Sequence, residues 1–177
     1  FDGAGAIAVL EDTNDIGFVA ANVTGGEDIE PGIYFHLQLG GITGHLDFAF
    51  ETGVLLKPEE CVKAAGAVVR AFIAHGDRTN RNKARLKYVL DAWGLPKFIA
   101  HVEEKLGHKL VKVPGEAIAL RPSFDRSAHI GVHRQKQVGF NWIGVVLPVA
   151  KLTATQMRGL AKIAQDLGYG DIRLTVW

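Results

Sequence analysis

The chain has 177 residues, of which 47% are hydrophobic, enough for one ordinary domain or two small ones with a buried core, and not the composition of a disordered or collagen-like chain. A formal net charge of +1 does not imply a strongly basic partner-binding surface for the chain as a whole, and no apolar run reaches the roughly 18 residues that a membrane span needs. The single cysteine excludes an internal disulfide and cannot supply the four thiolates of an iron–sulfur cluster, so we expect a reducing, cytoplasmic setting.

The first half of the chain predicts strands that are joined by glycine-containing loops. Residues 17–22 and 33–39 are predicted strands, and Tyr34, His36 and Gln38 fall on one face of the second. This strand runs into the sequence GGITGH at residues 40–45, which we call the glycine loop. Its glycines allow a ligand to approach the backbone closely, but the GxGxxG and Walker A patterns are absent. The residues alone leave two interpretations open, a ligand-binding loop or a turn at the end of a strand.

Three helices are predicted next. The first follows Pro58 and ends near Gly76, the second runs from about Asn80 to Gly94, and the third from Pro96 to Gly107. Their apolar side chains recur at helical spacing: Val62, Ala65, Val69, Phe72 and Ile73; then Leu86, Val89, Leu90 and Trp93; then Phe98, Ile99, Val102 and Leu106.

Four basic residues fall on the predicted second helix: Arg81, Lys83, Arg85 and Lys87. On a helix, Arg81 shares a face with Arg85, as Lys83 does with Lys87. Such a surface attracts an acidic protein or a carboxylate-rich ligand, and the alternative is a solvated face without a partner. Nucleic-acid binding is disfavoured because few aromatic side chains are interleaved with these cations.

The composition changes near residues 113–115, where we place a domain boundary. A strand over residues 140–149, a helix that follows a capping box at residues 153–156, and an alternating strand over residues 171–177 predict half of a βαββ unit. We expect this helix to bury Met157, Leu160, Ile163, Ala164 and Leu167.

Few residues in the chain have the spacing of a catalytic or metal site. His129 and His133 would share a metal ion only on a helix, and Gly131 argues against a helix there. No nucleophile motif is present, and Cys61 is expected to be either a core thiol or a half-buried thiol at a helix start.

Several segments of the chain together have the motifs of one protein family. The sequence GDRTNRNKARLKY at residues 76–88 is similar to the GDRxxRxxARLKY segment of the nitrite and sulfite reductase family, and WGLPKF at residues 93–98 is similar to the family's next segment. GVHRQKQVGFNWIG at residues 131–144 resembles the opening of the family's second ferredoxin-like half repeat, in the form that nitrite reductases carry. GDIRLTVW at residues 170–177 resembles a strand that continues into Gln-Asn-Leu in the family. The segments cover nearly the whole chain in the family's order.

The resemblance implies a mixed α+β fold in three parts. Residues 1–78 would belong to the first sirohaem-domain copy, residues 79–113 would form a helical connector, and residues 114–177 would form the second ferredoxin-like half domain, truncated at its end. Because the chain begins at Phe1 and stops inside a predicted strand, we expect an internal piece of a longer enzyme.

The resemblance also implies a function for the intact enzyme. Family members are oxidoreductases that add six electrons to nitrite or sulfite at a sirohaem coupled to a 4Fe–4S cluster, with a donor such as ferredoxin. The family's catalytic cations precede Phe1 and its four cluster cysteines come after Trp177, so no catalytic or metal-binding residue, no bound cofactor and no activity are expected in this chain alone.

Two sets of residues remain candidates for binding. The family's strand-end loop lies near the sirohaem, which implies a cofactor contact for Gly40, Gly41, Thr43 and Gly44 in the intact enzyme. Arg81, Lys83, Arg85 and Lys87 are candidates for docking an acidic electron carrier, so a non-catalytic docking module is one alternative and a sulfite reductase is the other. Because the isolated chain lacks the duplicate units it would pack against, we expect a homodimer or larger with an interface near residues 140–149.

Overall fold

The computed structural model describes residues 1–3, 9–25, 29–45, 47–112, 118, 127 and 129–175. The chain divides into two compact units, residues 1–123 and residues 124–177, and each is described by itself. The change of composition at residues 113–115 lies outside the described residues, and the domain boundaries drawn from the sequence stay a prediction.

The first unit contains a three-stranded antiparallel sheet with the strand order β1-β2-β3. The strands are β1 (Ile16–Val23), β2 (Gly32–Leu39) and β3 (Phe50–Leu56), so both predicted strands are confirmed. The pairing of β2 with β3 is interrupted between His36 and Gln38, opposite a bulge in β3. Gly53 lies in this bulge with a φ of 71°, a conformation that glycine adopts without steric cost.

Three helices follow the sheet: α1 (Cys61–His75), α2 (Leu86–Trp93) and α3 (Leu95–Leu106). A single 3-10 turn, Pro58–Glu60, leads into α1. Gly94 separates α2 from α3 with a φ of 75°, and Gly107 ends α3 with a φ of 80°. The predicted ends of α2 and α3 are therefore confirmed, because a positive φ at a helix end is most easily adopted by glycine. Helix α1 ends at His75, directly before the predicted Gly76, whose backbone is extended.

The predicted start of the second helix is wrong. Residues 80–85 are outside any helix, with a turn at residues 81–82, and α2 begins only at Leu86. The side chain of Asn80 accepts a hydrogen bond from the backbone N–H of Asn82 at 3.1 Å, a local bond that competes with helix formation. Arg85 is in extended backbone, with φ −127° and ψ 155°. Arg81 and Arg85 therefore do not share a helix face, and neither do Lys83 and Lys87.

One face of the sheet and the three helices bury a common core. Its members are Phe18, Leu37, Leu39, Val54, Leu56, Cys61, Ala64, Ala67, Val68, Ala71, Leu86, Val89, Leu90, Phe98, Ile99, Val102 and Leu110. Helices α2 and α3, which were predicted to form a connector, thus pack in the same core as the sheet.

Helix α1 buries a different face from the one that the apolar spacing indicated. Its buried side chains are Cys61 and several small residues, mostly alanines, whereas Val62 is 77% exposed and Ile73 is 56% exposed. The helix carries two apolar faces, and periodicity alone does not tell which one packs.

In its described residues, the second unit forms a β-hairpin and an α-helix. The hairpin pairs β4 (Gly131–Arg134) with β5 (Asn141–Gly144), and helix α4 (Ala154–Leu167) begins at the predicted capping box. Thr153 Oγ1 accepts from the N–H of Gln156 at 3.2 Å, and Gln156 Oε1 accepts from the N–H of Thr153 at 2.9 Å.

Two predicted strands and one predicted buried face in this unit are wrong. The strand predicted over residues 140–149 is limited to β5: residues 145–147 are outside any strand, and Pro148–Ala150 form a 3-10 turn in which Val149 and Ala150 have positive φ values. No strand forms over the described residues 171–175, and residues 176–177 lie outside the described part of the chain. The apolar residues of α4 are not buried: Met157 is 57% exposed and Leu167 is 85% exposed.

The architecture combines an antiparallel sheet with separate helices, which is the predicted mixed α+β class. Among the described helices, none has the length and apolar character to cross a membrane.

Candidate functional site

The glycine loop joins β2 to β3 beside the start of α2. Gly40 has a φ of 87°, and a Cβ at this position would lie 2.6 Å from Cδ1 of Leu90. A Cβ on Gly41 would collide with the carbonyl oxygen of Asp12 and lie 2.8 Å from the backbone nitrogen of Asn14. Packing within the domain therefore requires glycine at both positions, whether or not a ligand binds.

The backbone donors at the start of the loop are already used. The N–H of Gly40 donates to the carbonyl of Asp15 at 2.9 Å, that of Gly41 to Asn14 at 3.0 Å, and that of Ile42 to Asp47 at 2.9 Å. An anion-binding loop needs amide groups that point at the ligand. These three amides do not provide such a site.

The tip of the loop has a different environment. Thr43 and Gly44 lie in a 3-10 turn, Thr43–His45, and both are exposed. Among the described residues, no atom lies within 4 Å of a Cβ built on Gly44, so these residues leave the backbone there open to close approach. Of the four residues singled out in the sequence, Gly40 and Gly41 shape the loop, whereas Thr43 and Gly44 present its surface.

Arg85 forms a two-point ion pair with Asp15, at the start of β1. Its Nε donates to Oδ1 of Asp15 at 2.9 Å and its Nη2 to Oδ2 at 2.8 Å. This hydrogen bonding raises the pKa of Arg85. The parallel donor arrangement is the strongest and most directional geometry of an arginine–carboxylate pair.

Lys87 lies between two carboxylates. Its Nζ is 3.1 Å from Oδ2 of Asp47 and 3.2 Å from Oδ1 of Asp91, and its side chain is only 13% exposed. The hydrogen bond to Asp47, followed by that to Asp91, raises the pKa of Lys87. The ammonium group also lies 5.8 Å from the centre of the Phe50 ring.

The four basic residues are therefore not one surface. Arg85 and Lys87 are engaged in ion pairs with carboxylates of their own domain, whereas Arg81 and Lys83 are exposed in the preceding turns. Lys83 lines a cleft of about 490 Å³ together with His75, Asp77 and Trp93.

A polar network on the sheet was not found from the sequence. Nδ1 of His36 lies 3.2 Å from Oε2 of Glu51, and Nε2 of Gln38 donates to Oε1 of Glu51 at 2.5 Å. The bond with His36, and then that with Gln38, lowers the pKa of Glu51. Nε2 of His36 and Oε1 of Gln38 are buried without a hydrogen-bond partner among the described residues. Alternation placed His36 and Gln38 on one face, but no local signal pointed to Glu51.

A second cluster missed from the sequence lies where the three helices meet. The ring of Trp93 is 4.6 Å from that of His75 and 5.1 Å from that of His101, between ring centres. Nζ of Lys97 lies 4.4 Å from the centre of the Trp93 ring, a cation–π distance.

No described group of three or more His, Cys, Asp or Glu side chains could hold a metal ion. His133 lies on β4, where its ring stacks on Trp142 at 4.2 Å. Cys61 is buried at the start of α1, as predicted, and its thiol lies 3.5 Å from the carbonyl of Lys57. Burial raises the pKa of this thiol, and a single buried thiol does not fit an iron–sulfur cluster.

Both parts of the chain match models of one protein family. Residues 1–110 match the nitrite and sulphite reductase 4Fe-4S domain, and residues 133–177 match the nitrite/sulfite reductase ferredoxin-like half domain. The chain belongs to the nitrite and sulfite reductase family, which confirms the resemblance of the motifs at residues 76–88 and 131–144.

Individual relatives support the same assignment. A ferredoxin–nitrite reductase of Leptolyngbya laminosa is 35% identical over 172 residues, which are 96% of this chain and 32% of that protein. A chloroplastic ferredoxin–nitrite reductase of Spinacia oleracea is 31% identical over 144 residues, 80% of this chain and 24% of that one. A sulfite reductase [ferredoxin] 2 of Mycolicibacterium paratuberculosis is 30% identical over 168 residues, 94% of this chain and 29% of that one.

The fold also matches a solved structure. The NirA protein of Mycobacterium tuberculosis superposes with a TM-score of 0.75 at 29% identity, over 90% of this chain and 28% of that one. The chain thus spans about a third or less of the length of the relatives that it matches.

Proposed function

We propose that this chain is an internal part of a ferredoxin-dependent assimilatory nitrite reductase, which carries out the six-electron reduction of nitrite to ammonia. Supporting this proposal, 96% of the chain aligns with a ferredoxin–nitrite reductase. Nitrite is preferred over sulfite because residues 131–144 carry the form found in nitrite reductases. The sulfite reductase relative, at 30% identity, keeps sulfite as the alternative anion.

The tip of the glycine loop is the proposed sirohaem contact. Thr43 is exposed and carries a hydroxyl, and the described residues leave space beside Gly44 for a flat ring system to approach the backbone. Gly40 and Gly41 contribute indirectly, since they allow the turn that carries the tip. The sirohaem would supply the iron that binds nitrite and passes electrons to it.

The cluster and the catalytic groups would come from other parts of the enzyme. The only thiol of the chain is buried and does not fit a 4Fe–4S site. We therefore propose that this chain alone binds no cofactor and reduces neither anion. A free thiol is typical of a reducing compartment, and we place the enzyme in the cytoplasm.

Docking of an acidic electron carrier such as ferredoxin is a second candidate role. Arg81 and Lys83 are exposed, beside the cleft that Trp93 lines. Surface cations of this kind guide association with an acidic protein, and their effect weakens as salt screens the charges. Ferredoxin binding, measured at several salt concentrations for wild type and for Arg81→Gln/Lys83→Gln, tests this role. An affinity that is the same for both proteins would contradict it.

We further propose that the isolated chain associates through its second unit. The described residues of this unit include none that is buried, and large apolar side chains such as Val146 and Leu167 are 63% and 85% exposed. Exposed apolar surface of this extent favours association, and a symmetric dimer is the simplest closed solution.

The sirohaem contact can be tested in the intact protein that contains this chain. Thr43→Val removes the hydroxyl but keeps the shape of the side chain. We expect this change to shift the sirohaem absorption bands or weaken sirohaem retention, whereas Thr79→Val, in the turn before α2, has no effect. Unchanged bands and retention in Thr43→Val would argue against a contact at the tip.

A further inference from the structure

The glycine loop is tied on one side to the turn that precedes β1. The carbonyl groups of Asp15 and Asn14 accept the N–H groups of Gly40 and Gly41, and the carbonyl of Asp12 accepts that of Ala49 at 2.7 Å. Backbone groups both before and after the exposed tip are therefore fixed by one short segment.

The start of α2 holds the loop from the other side. Arg85 binds the carboxylate of Asp15, the same residue whose carbonyl receives the N–H of Gly40. Lys87 binds the carboxylate of Asp47, whose carbonyl receives the N–H of Ile42 and thereby closes the neck of the loop. Arg85 thus stabilises Asp15, which anchors the start of the glycine loop, and Lys87 stabilises Asp47, which anchors its end.

The packing of α2 strengthens this arrangement. Leu86, between the two cations, is 4% exposed, so the first turn of the helix is fixed in the core. One turn further along, Leu90 lies against Gly40. Lys87 therefore projects from a rigid element and Arg85 from the residue directly before it, which is how positioning groups are most effective.

We propose that Arg85 and Lys87 are positioning residues for the glycine loop, and that they hold Thr43 and Gly44 in the geometry in which the tip meets a flat tetrapyrrole. The proposal rests on the sirohaem contact of the proposed function. A loop that is already ordered loses less conformational freedom on binding, so the ion pairs favour ligand binding without touching the ligand. Within residues 76–88, Arg85 and Lys87 then position the glycine loop, whereas Arg81 and Lys83 remain on the surface.

Amide hydrogen exchange on the 177-residue chain, without any ligand, tests the positioning directly. The variants are Arg85→Gln and Lys87→Gln, with Arg81→Gln and Lys83→Gln as controls that remove the same charge from exposed positions. In Arg85→Gln and Lys87→Gln, we expect the amides of Gly40, Gly41 and Ile42 to exchange about fivefold faster. This factor corresponds to the loss of a partly exposed ion pair. The controls should leave these rates unchanged, and amides of α1 should exchange as in wild type in all four variants.

A charge reversal separates positioning from a general loss of stability. Asp15→Arg combined with Arg85→Asp restores an ion pair with the opposite polarity, and we expect the exchange rates of the loop to return toward wild type. The proposal is overturned if Arg85→Gln leaves the loop amides unchanged, or if it accelerates the loop and α1 by the same factor.

Sirohaem titration distinguishes this failure from failure of the proposed function. In the intact apoprotein, Arg85→Gln should weaken sirohaem binding and Arg81→Gln should not. If the loop amides respond as expected but Thr43→Val and Arg85→Gln both bind sirohaem like wild type, the loop is positioned by Arg85 and the assigned contact is wrong.

Discussion

Cδ1 of Leu90 lies 2.6 Å from the position that a Cβ on Gly40 would occupy, so the first residue of the glycine loop is fixed by a helix that begins more than forty positions later in the chain. The relationship explains why a glycine-rich segment can be essential without binding anything at its glycines. It also separates the loop into a packed base and an exposed tip, and the two parts respond differently to substitution.

Gly40→Ala should be strongly destabilising. The added methyl group meets Leu90, and the positive φ of 87° is unfavourable for alanine. We expect the free energy of unfolding to fall by about 1–3 kcal/mol, as measured by urea denaturation. Gly44→Ala, at an exposed position where no described atom lies within 4 Å of the added methyl group, should change it by less than about 0.5 kcal/mol. Equal effects would show that the base of the loop is not packed as described.

Glu51 should stabilise the fold in a pH-dependent way. Its pKa is lowered by the bond with His36, so its stabilising effect is present above the pKa of the unfolded carboxyl group, near 4.3, and is lost as the pH falls through the lower value of the folded state. Because the side chain of Glu51 is 59% exposed, we expect Glu51→Gln to cost about 1 kcal/mol or less at neutral pH.

Denaturation at neutral and acidic pH measures this effect. The difference between wild type and Glu51→Gln should shrink below the pKa of the folded carboxyl group, and the exposed control Glu59→Gln should show no comparable trend. A difference that is the same at both pH values would contradict the hydrogen bonds assigned to the Glu51 carboxylate.

The isolated chain should not assemble an iron–sulfur cluster, since one buried thiol cannot replace four ligands. Anaerobic reconstitution with iron and sulfide, followed by desalting and absorbance, is the measurement. We expect no stoichiometric cluster in wild type or in Cys61→Ser. A cluster retained by wild type and lost in Cys61→Ser would overturn the assignment of cluster binding to other parts of the enzyme.

Association of the isolated chain should depend on its second unit. We expect light scattering after size exclusion to give the mass of a dimer or larger species, and Val146→Lys to shift it toward the monomer. Val62→Lys, at a 77% exposed position of α1 in the first unit, is the control and should leave the mass unchanged. A wild-type monomer would contradict the proposal, and dissociation by Val62→Lys alone would place the interface on α1.

The elements that the sequence predicted well are those with local signals. Gly94 and Gly107 end helices because of their backbone freedom. Helix α4 begins where Thr153 and Gln156 form hydrogen bonds with each other, three positions apart in the chain. The start of α2 was misplaced because the turn formed by Asn80 competes with a helical pattern that continues through it.

The features that were missed depend on distant parts of the chain. Glu51 reaches Gln38 and His36 only through the register of two strands and the bulge between them. The ion pair of Arg85 joins residues 70 positions apart, which no spacing rule reveals. The amphipathic pattern of α4 was predicted correctly, but Leu167 is exposed because no described residue of the second unit covers it. The pattern alone does not reveal whether an apolar face has a partner.

The reaction of the intact protein that contains this chain tests the proposed function most directly. With chemically reduced ferredoxin under anaerobic conditions, ammonium formed from nitrite and sulfide formed from sulfite are quantified for the same preparation. We predict that nitrite is converted to ammonium with six electrons per molecule, and with a higher kcat/KM than sulfite. A higher kcat/KM for sulfite, or no ammonium above a protein-free control, would contradict the assignment of this chain to a nitrite reductase.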